Sequence, residues 1–195
     1  MFFLYFFAFF AVQMGFLQWT HISFCMLSAC AIKETPMHDR TLLIDKIRHL
    51  PEQIAGLVEG LTDAQLTGHF LAGEWSVAQN VHHLADSHMN SYIRCKLIAT
   101  EDHPTLKPYD QEIWAELADA SGPNVEVSLA LLTALHSRWV VFWENLPVDA
   151  WSRTGFHPES GTVTLDDQIR LYAAHGEAHI DQITRTLAAQ GEHKD

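Results

Sequence analysis

The stretch "HGEAH" places His175 and His179 four residues apart. On a helix that spacing puts both imidazoles on one face, close enough to share a metal ion. With thirteen histidines in 195 residues, roughly one such pair arises by chance, so the pattern alone reads equally well as a polar stripe on a solvated face. A second cluster, "VHHLADSH" (residues 81–88), sets His82, His83, His88 and Asp86 within eight positions. One histidine from this cluster, added to His175 and His179, makes a three-histidine set. Three protein ligands leave a fourth position open, the arrangement of a catalytic rather than a structural zinc, which lowers the pKa of water towards neutrality.

Helical periodicity does not choose between His82 and His83. His88 shares a stripe with Val77, Val81 and Leu84, which reads as a core-facing position whose imidazole bonds to a neighbouring helix. His82 and Asp86 are four apart and can pair with each other. Asp86 can equally hold a ligand imidazole in its tautomer.

These residues need elements to position them. Four long helical patterns run along the chain. The first covers about 39–60, with Leu42, Leu43, Ile47, Leu50, Ile54, Leu57 and Val58 near a 3.6-residue period. Pro51 is expected to kink or split it. The second opens at Ser76, where "SVAQ" is a capping-box sequence with Gln79 at the third position, and runs to about Ala99. The third covers about 125–146 and stops at Pro147. The fourth opens at Thr164, where "TLDD" repeats the capping pattern and puts Asp166 and Asp167 at the positive helix end, and runs to about Gln190. A short helix is predicted from Asp110, its N-cap. The turn-rich segment 148–163 has room for a short hairpin. No βαβ alternation, phosphate loop or internal repeat is visible. The fold class is therefore all-α, most simply a four-helix bundle.

Composition sets the outer limits. The apolar fraction of 48% supports a sizeable core. A formal net charge of −12 argues against nucleic-acid binding, which needs a basic surface. Cys25, Cys30 and Cys95 are the three cysteines, and two of them lie in the leader, so no internal disulfide framework is expected. Residues 1–32 contain no Lys, Arg, Asp or Glu and are long enough to span a bilayer. The leader, 1–36, reads as a signal without the usual basic start, as a lipoprotein signal ending "LSAC" at Cys30, or as a mis-assigned start ahead of Met37. The domain that carries the chemistry is 37–195. It is expected in the cytoplasm, or membrane-anchored or exported if the leader is retained.

The segment 74–117, "EWSVAQNVHHLADSHMNSYIRCKLIATEDHPTLKPYDQEIWAEL", closely resembles the YfiT-like branch of the DinB superfamily. Later pieces match in order: "SLALLTALHSRWV" (128–140), "FHPESG" (156–161) and "LYAAHGEAHI" (171–180). The resemblance covers about 40–185. It implies a four-helix bundle that binds one divalent metal, zinc or nickel, per chain on three histidines. One of these follows a Trp-Ser/Thr motif by seven residues. Counted from Trp75 and Ser76, that residue is His83; the others are His175 and His179. Members of the branch are described as metal-dependent hydrolases acting on small molecules. Related branches are thiol S-transferases that use bacillithiol, mycothiol or glutathione. A homodimer is also implied, and a metal-binding bundle without catalysis is the non-enzymatic alternative. The chain departs from the family's usual residues at Ala78, Glu177 and Ala178, next to the ligand positions.

Other polar residues have plainer expected roles. Glu177 lies between the paired histidines in sequence, but its side chain points about 160–200° away on a helix, so it is expected at the surface. Tyr109, in the loop that the resemblance puts near the site mouth, is a candidate substrate contact. His136 is expected to make an interhelical hydrogen bond. Cys95 is expected to be a small core residue.

Overall fold

The structure, a computed structural model, describes residues 37–192. The leader expected at 1–36 lies outside the described residues. Four long helices dominate: α1 (Met37–Val58), α3 (Val77–Thr100), α5 (Val125–Glu144) and α6 (Leu165–Glu192). Short helices α2 (Asp63–Thr67) and α4 (Gln111–Ala115) lie in the connections. A 3-10 turn (Val148–Ser152) and a hairpin of β1 (Thr154–His157) and β2 (Gly161–Thr164) join α5 to α6.

The capping sequences form as read. Ser76 accepts from the Gln79 backbone N–H at 3.2 Å while the Gln79 side chain accepts from the Ser76 N–H at 3.0 Å. Asp110 caps α4, accepting from the N–H groups of Glu112 and Ile113. Thr164 exchanges the same pair of bonds with Asp167 at the start of α6. Ser76→Ala should therefore cost about 1 kcal/mol, read as a lower urea midpoint with an unchanged slope.

The main helix contacts run α1–α6, α6–α3, α3–α5 and α5–α1. Consecutive long helices α1 and α3 thus sit across a diagonal of the bundle, as do α5 and α6. Side chains bury into two separate apolar clusters. One contains Ile44, Ile47, Cys95, Ile98, Trp139, Trp143, Leu165 and Ile169. The other contains Leu50, Ile54, Val77, Val81, Leu84, Leu132 and Ile183. On three of the helices the gap between the clusters falls at histidine: His88 on α3, His136 on α5, His175 and His179 on α6. A polar band therefore crosses the middle of the bundle between two apolar layers.

Pro51 does not split the first helix, which runs unbroken from Met37 to Val58. The missing proline N–H leaves the carbonyl of Ile47, four residues earlier, without its helical partner. That carbonyl is buried and accepts instead from Nδ1 of His136 on α5. The interhelical bond expected of His136 is this one.

Candidate metal centre

His83 on α3 meets His175 and His179 on α6 in the polar band. Nε2 of His175 lies 3.2 Å from Nε2 of His83 and 3.1 Å from Nε2 of His179. Ligand atoms of all three fall within 4.8 Å of one another. The structure thus brings the three histidines singled out by the resemblance to one point. His82, the alternative left open by periodicity, is turned the other way. Its Nδ1 lies 2.7 Å from the Ser128 hydroxyl and its Nε2 2.9 Å from the Gly122 carbonyl.

Burial is the main influence on protonation here. It lowers the pKa of His83 to about 3 and of His175 to about 4, from an ordinary 6.5. His179 is pushed well below that value by burial and by its neighbours His175 and His83. At neutral pH all three rings are neutral, the form in which histidine binds a metal. Nδ1 of His179 lies 2.7 Å from Oδ1 of Asn80, and the Asn80 amide nitrogen donates to the Ser76 carbonyl at 2.9 Å. A carbonyl only accepts, so the amide orientation is fixed and its oxygen must face His179. The proton of His179 is therefore on Nδ1, and Nε2 presents a bare lone pair to the cluster.

The donor set fits a divalent ion. Two ligand nitrogens about 2.0–2.1 Å from a tetrahedral zinc stand roughly 3.3 Å apart, and the observed separations of 3.1 and 3.2 Å are close to that. His83, His175 and His179 are the residues that would hold it. Asn80 supplies the carbonyl-type partner that ligand histidines usually have on their far nitrogen. Sequence reasoning did not single out Asn80; its position one turn before His83 is the only local signal.

The remaining candidates take separate places. Among the described residues the Asp86 carboxylate makes no hydrogen bond to any of the three histidines. Its pKa is raised by burial and by Asp119. The orienting contacts come from Asn80 and His88 instead. Trp75 lies over His83, with ring centroids 4.7 Å apart, and stacks at 6.3 Å on His179. Its indole N–H donates to Glu112 at 3.0 Å. Behind Trp75 is a pocket of about 410 Å³ lined in part by Glu74, Gln79, Glu112 and Glu116. Tyr109 packs on Trp114 with centroids 4.5 Å apart. Burial raises its hydroxyl pKa to about 12, with the Ser87 hydroxyl beside it opposing the shift, so it stays protonated and able to donate. Tyr172 packs 5.5 Å from His175. Glu177 is exposed and pairs with Lys46 at 2.7 Å, away from the cluster. Cys95 is buried, and burial pushes its thiol up to about 12, so it is inert packing.

Known proteins share both the sequence and the fold. The model of the DinB superfamily matches residues 46–183. A protein of Oceanobacillus iheyensis named "Putative metal-dependent hydrolase" is 45% identical over 141 residues, 72% of this chain and 81% of that one. A Bacillus cereus (strain B4264) protein of the same description is 46% identical over the same shares. The solved structure of YfiT from Bacillus subtilis, described as a probable metal-dependent hydrolase with an unusual four-helix bundle topology, superposes with a TM-score of 0.79. It is 37% identical, covering 84% of this chain and 94% of that one. A mycothiol-dependent maleylpyruvate isomerase shares the fold at a TM-score of 0.60, with 18% identity over 76% of this chain and 63% of that one.

Proposed function

Because the chain belongs to the DinB superfamily, we propose that it is a metal-dependent hydrolase of a small molecule, with His83, His175 and His179 holding one zinc or nickel ion. The observation that carries this is the convergence of three neutral imidazoles from two helices, two buried and one partly buried, with ligand atoms within 4.8 Å. The names of the relatives and the match to YfiT support it. An ion bound there supplies Lewis acidity, which brings the pKa of water, or of a thiol, towards neutrality.

The protein's own residues do the positioning. Asn80 fixes the His179 ring and its tautomer. Trp75 covers His83 and His179 on one side and limits water there. Tyr109, protonated at working pH, is the proposed donor to substrate at the mouth. Asp86, half-buried with a raised pKa, has no assigned step.

Elemental analysis of the full chain, purified without a histidine tag, should find about one zinc or nickel per chain. The double variant His175→Ala/His179→Ala should carry none. A parent that stays metal-free after reconstitution with both metals sinks the proposal. The alternative, thiol transfer to an electrophile, separates by stoichiometry: a low-molecular-weight thiol would be consumed one for one with product, whereas hydrolysis proceeds without it. Metal binding with no turnover on either panel would favour the non-enzymatic bundle.

A further inference from the structure

Among the described residues, the third histidine of the cluster, His175, has no carboxylate, carbonyl or amide on its far nitrogen. Its Nδ1 lies 3.2 Å from Nε2 of His88. Nδ1 of His88 lies 2.8 Å from Nε2 of His136. Nδ1 of His136 in turn contacts the Ile47 carbonyl, the one freed by Pro51. The rings of His88 and His136 are nearly parallel, with centroids 4.9 Å apart and 9° between planes, and both are buried. Neither ligates in the three-histidine cluster.

The polarity of this chain follows from its far end. A carbonyl oxygen only accepts, so His136 must carry its proton on Nδ1. In a buried site without an acidic partner an imidazole stays neutral, and burial lowers the His136 pKa to about 4. Its Nε2 is therefore bare and must accept, which places the His88 proton on Nδ1. His88 packs against His136, Trp139, Tyr172 and His175, with no acid among these contacts. Its Nε2 is bare in turn, so it accepts from Nδ1 of His175. The Nε2 of His175 is left as a lone pair, 3.1 Å from the lone pair that Asn80 fixes on His179. Two facing lone pairs at that distance repel unless a Lewis acid or a proton lies between them.

We propose that His88 and His136 are positioning residues that hold His175 as its Nδ1–H tautomer, with Nε2 turned into the cluster, through a chain anchored on the carbonyl that Pro51 frees. This rests on the metal-centre reading above for its purpose, though not for its geometry. Without the anchor the chain can reverse. His88 would then donate from Nε2 to His175, whose own proton would move to Nε2 and occupy the ligand position.

Two readouts on the full chain test this. Long-range proton–nitrogen correlation spectra of the histidine-labelled, metal-free parent should show Nδ1–H tautomers for His136, His88 and His175. Zinc affinity, measured against a competing chelator, should fall about 10–100-fold in His136→Leu. It should return close to parent in His136→Gln, whose amide can donate to Ile47 and accept from His88. An Nε2–H tautomer of His175 in the parent overturns the proposal. So does parental zinc affinity in a folded His136→Leu. Should His136→Leu fail to fold, the parent tautomers and His136→Gln still decide. A parent that binds neither zinc nor nickel but shows the three Nδ1–H tautomers would retain the chain and sink the metal-centre reading alone.

Discussion

With metal removed by a chelator, lowering the pH from 7 to 5 should unfold the protein in one steep transition. Five histidines share the polar band, and burial depresses each: His83 to about 3, His136 and His175 to about 4, His88 and His179 well below 6.5. In the unfolded chain they return to about 6.5. Between that value and the folded ones, the unfolded state binds more protons than the native state. Stability is thus fully present above pH 6.5 and is lost as pH falls towards 4. Each ring contributes about 1.4 kcal/mol per pH unit in that window. Five together remove several kcal/mol per unit, enough to exhaust a typical stability of about 5–15 kcal/mol within one to two units. Helical circular dichroism followed against pH should drop near pH 5–5.5, with several protons taken up. Zinc, which competes with protons for three of the rings and binds the native state, should move the midpoint to lower pH. A metal-free protein that keeps its helices to pH 4 would mean that the band is hydrated rather than dry.

That prediction depends on features unequally legible in the sequence. The long helices were readable because periodicity and caps agreed at Ser76 and Thr164, so local and tertiary preferences point the same way. The segment after Val58 carries the same kind of cap, Thr62 with Gln65, but its five-residue helix gives too short a window for periodicity. Pro51 was misleading for a different reason. Its cost to a helix is set by what happens to the carbonyl it strands, and the partner, His136, comes from 89 residues away. The ring order of the bundle was hidden as well, because an apolar stripe shows that a face is buried and not which helix covers it.

At the site, the His175–His179 pair is local and was legible. The choice between His82 and His83 was not. Adjacent helical residues differ by about 100°, and here both are buried, at 5% and 4% exposure, against different neighbours. A burial pattern alone would therefore have accepted either. The resemblance selected His83 because its motif counts from Trp75, the residue whose ring packs on His83. The supporting groups were less visible still: Asn80, His88 and His136 act through hydrogen bonds whose partners lie 48 to 99 residues distant. Asp86, the nearest acid in sequence, was the natural guess for such a role, and among the described residues it bonds to none of the three histidines.

The adjacent pair gives the sharpest mutational contrast. His83→Ala should abolish stoichiometric metal retention, whereas His82→Ala should keep about one ion per chain. Removing His83 leaves two ligands from a single helix and takes away the ligand that α3 gives the set. The loss in affinity should exceed the roughly 100-fold upper range for residues that only orient a ligand. His82→Ala instead deletes a bridge to Ser128 and Gly122, so its cost appears as stability. Unpairing one hydroxyl and one carbonyl there is worth about 1–3 kcal/mol. The two variants should also part in acid: His83→Ala takes one proton out of the metal-free transition, because that ring is held near 3. Competitive zinc titration and denaturant melts on both variants separate the outcomes. Equal metal loss in the two, with folding intact, would show that His82 matters to binding as much as His83, and would remove His83 from its special place.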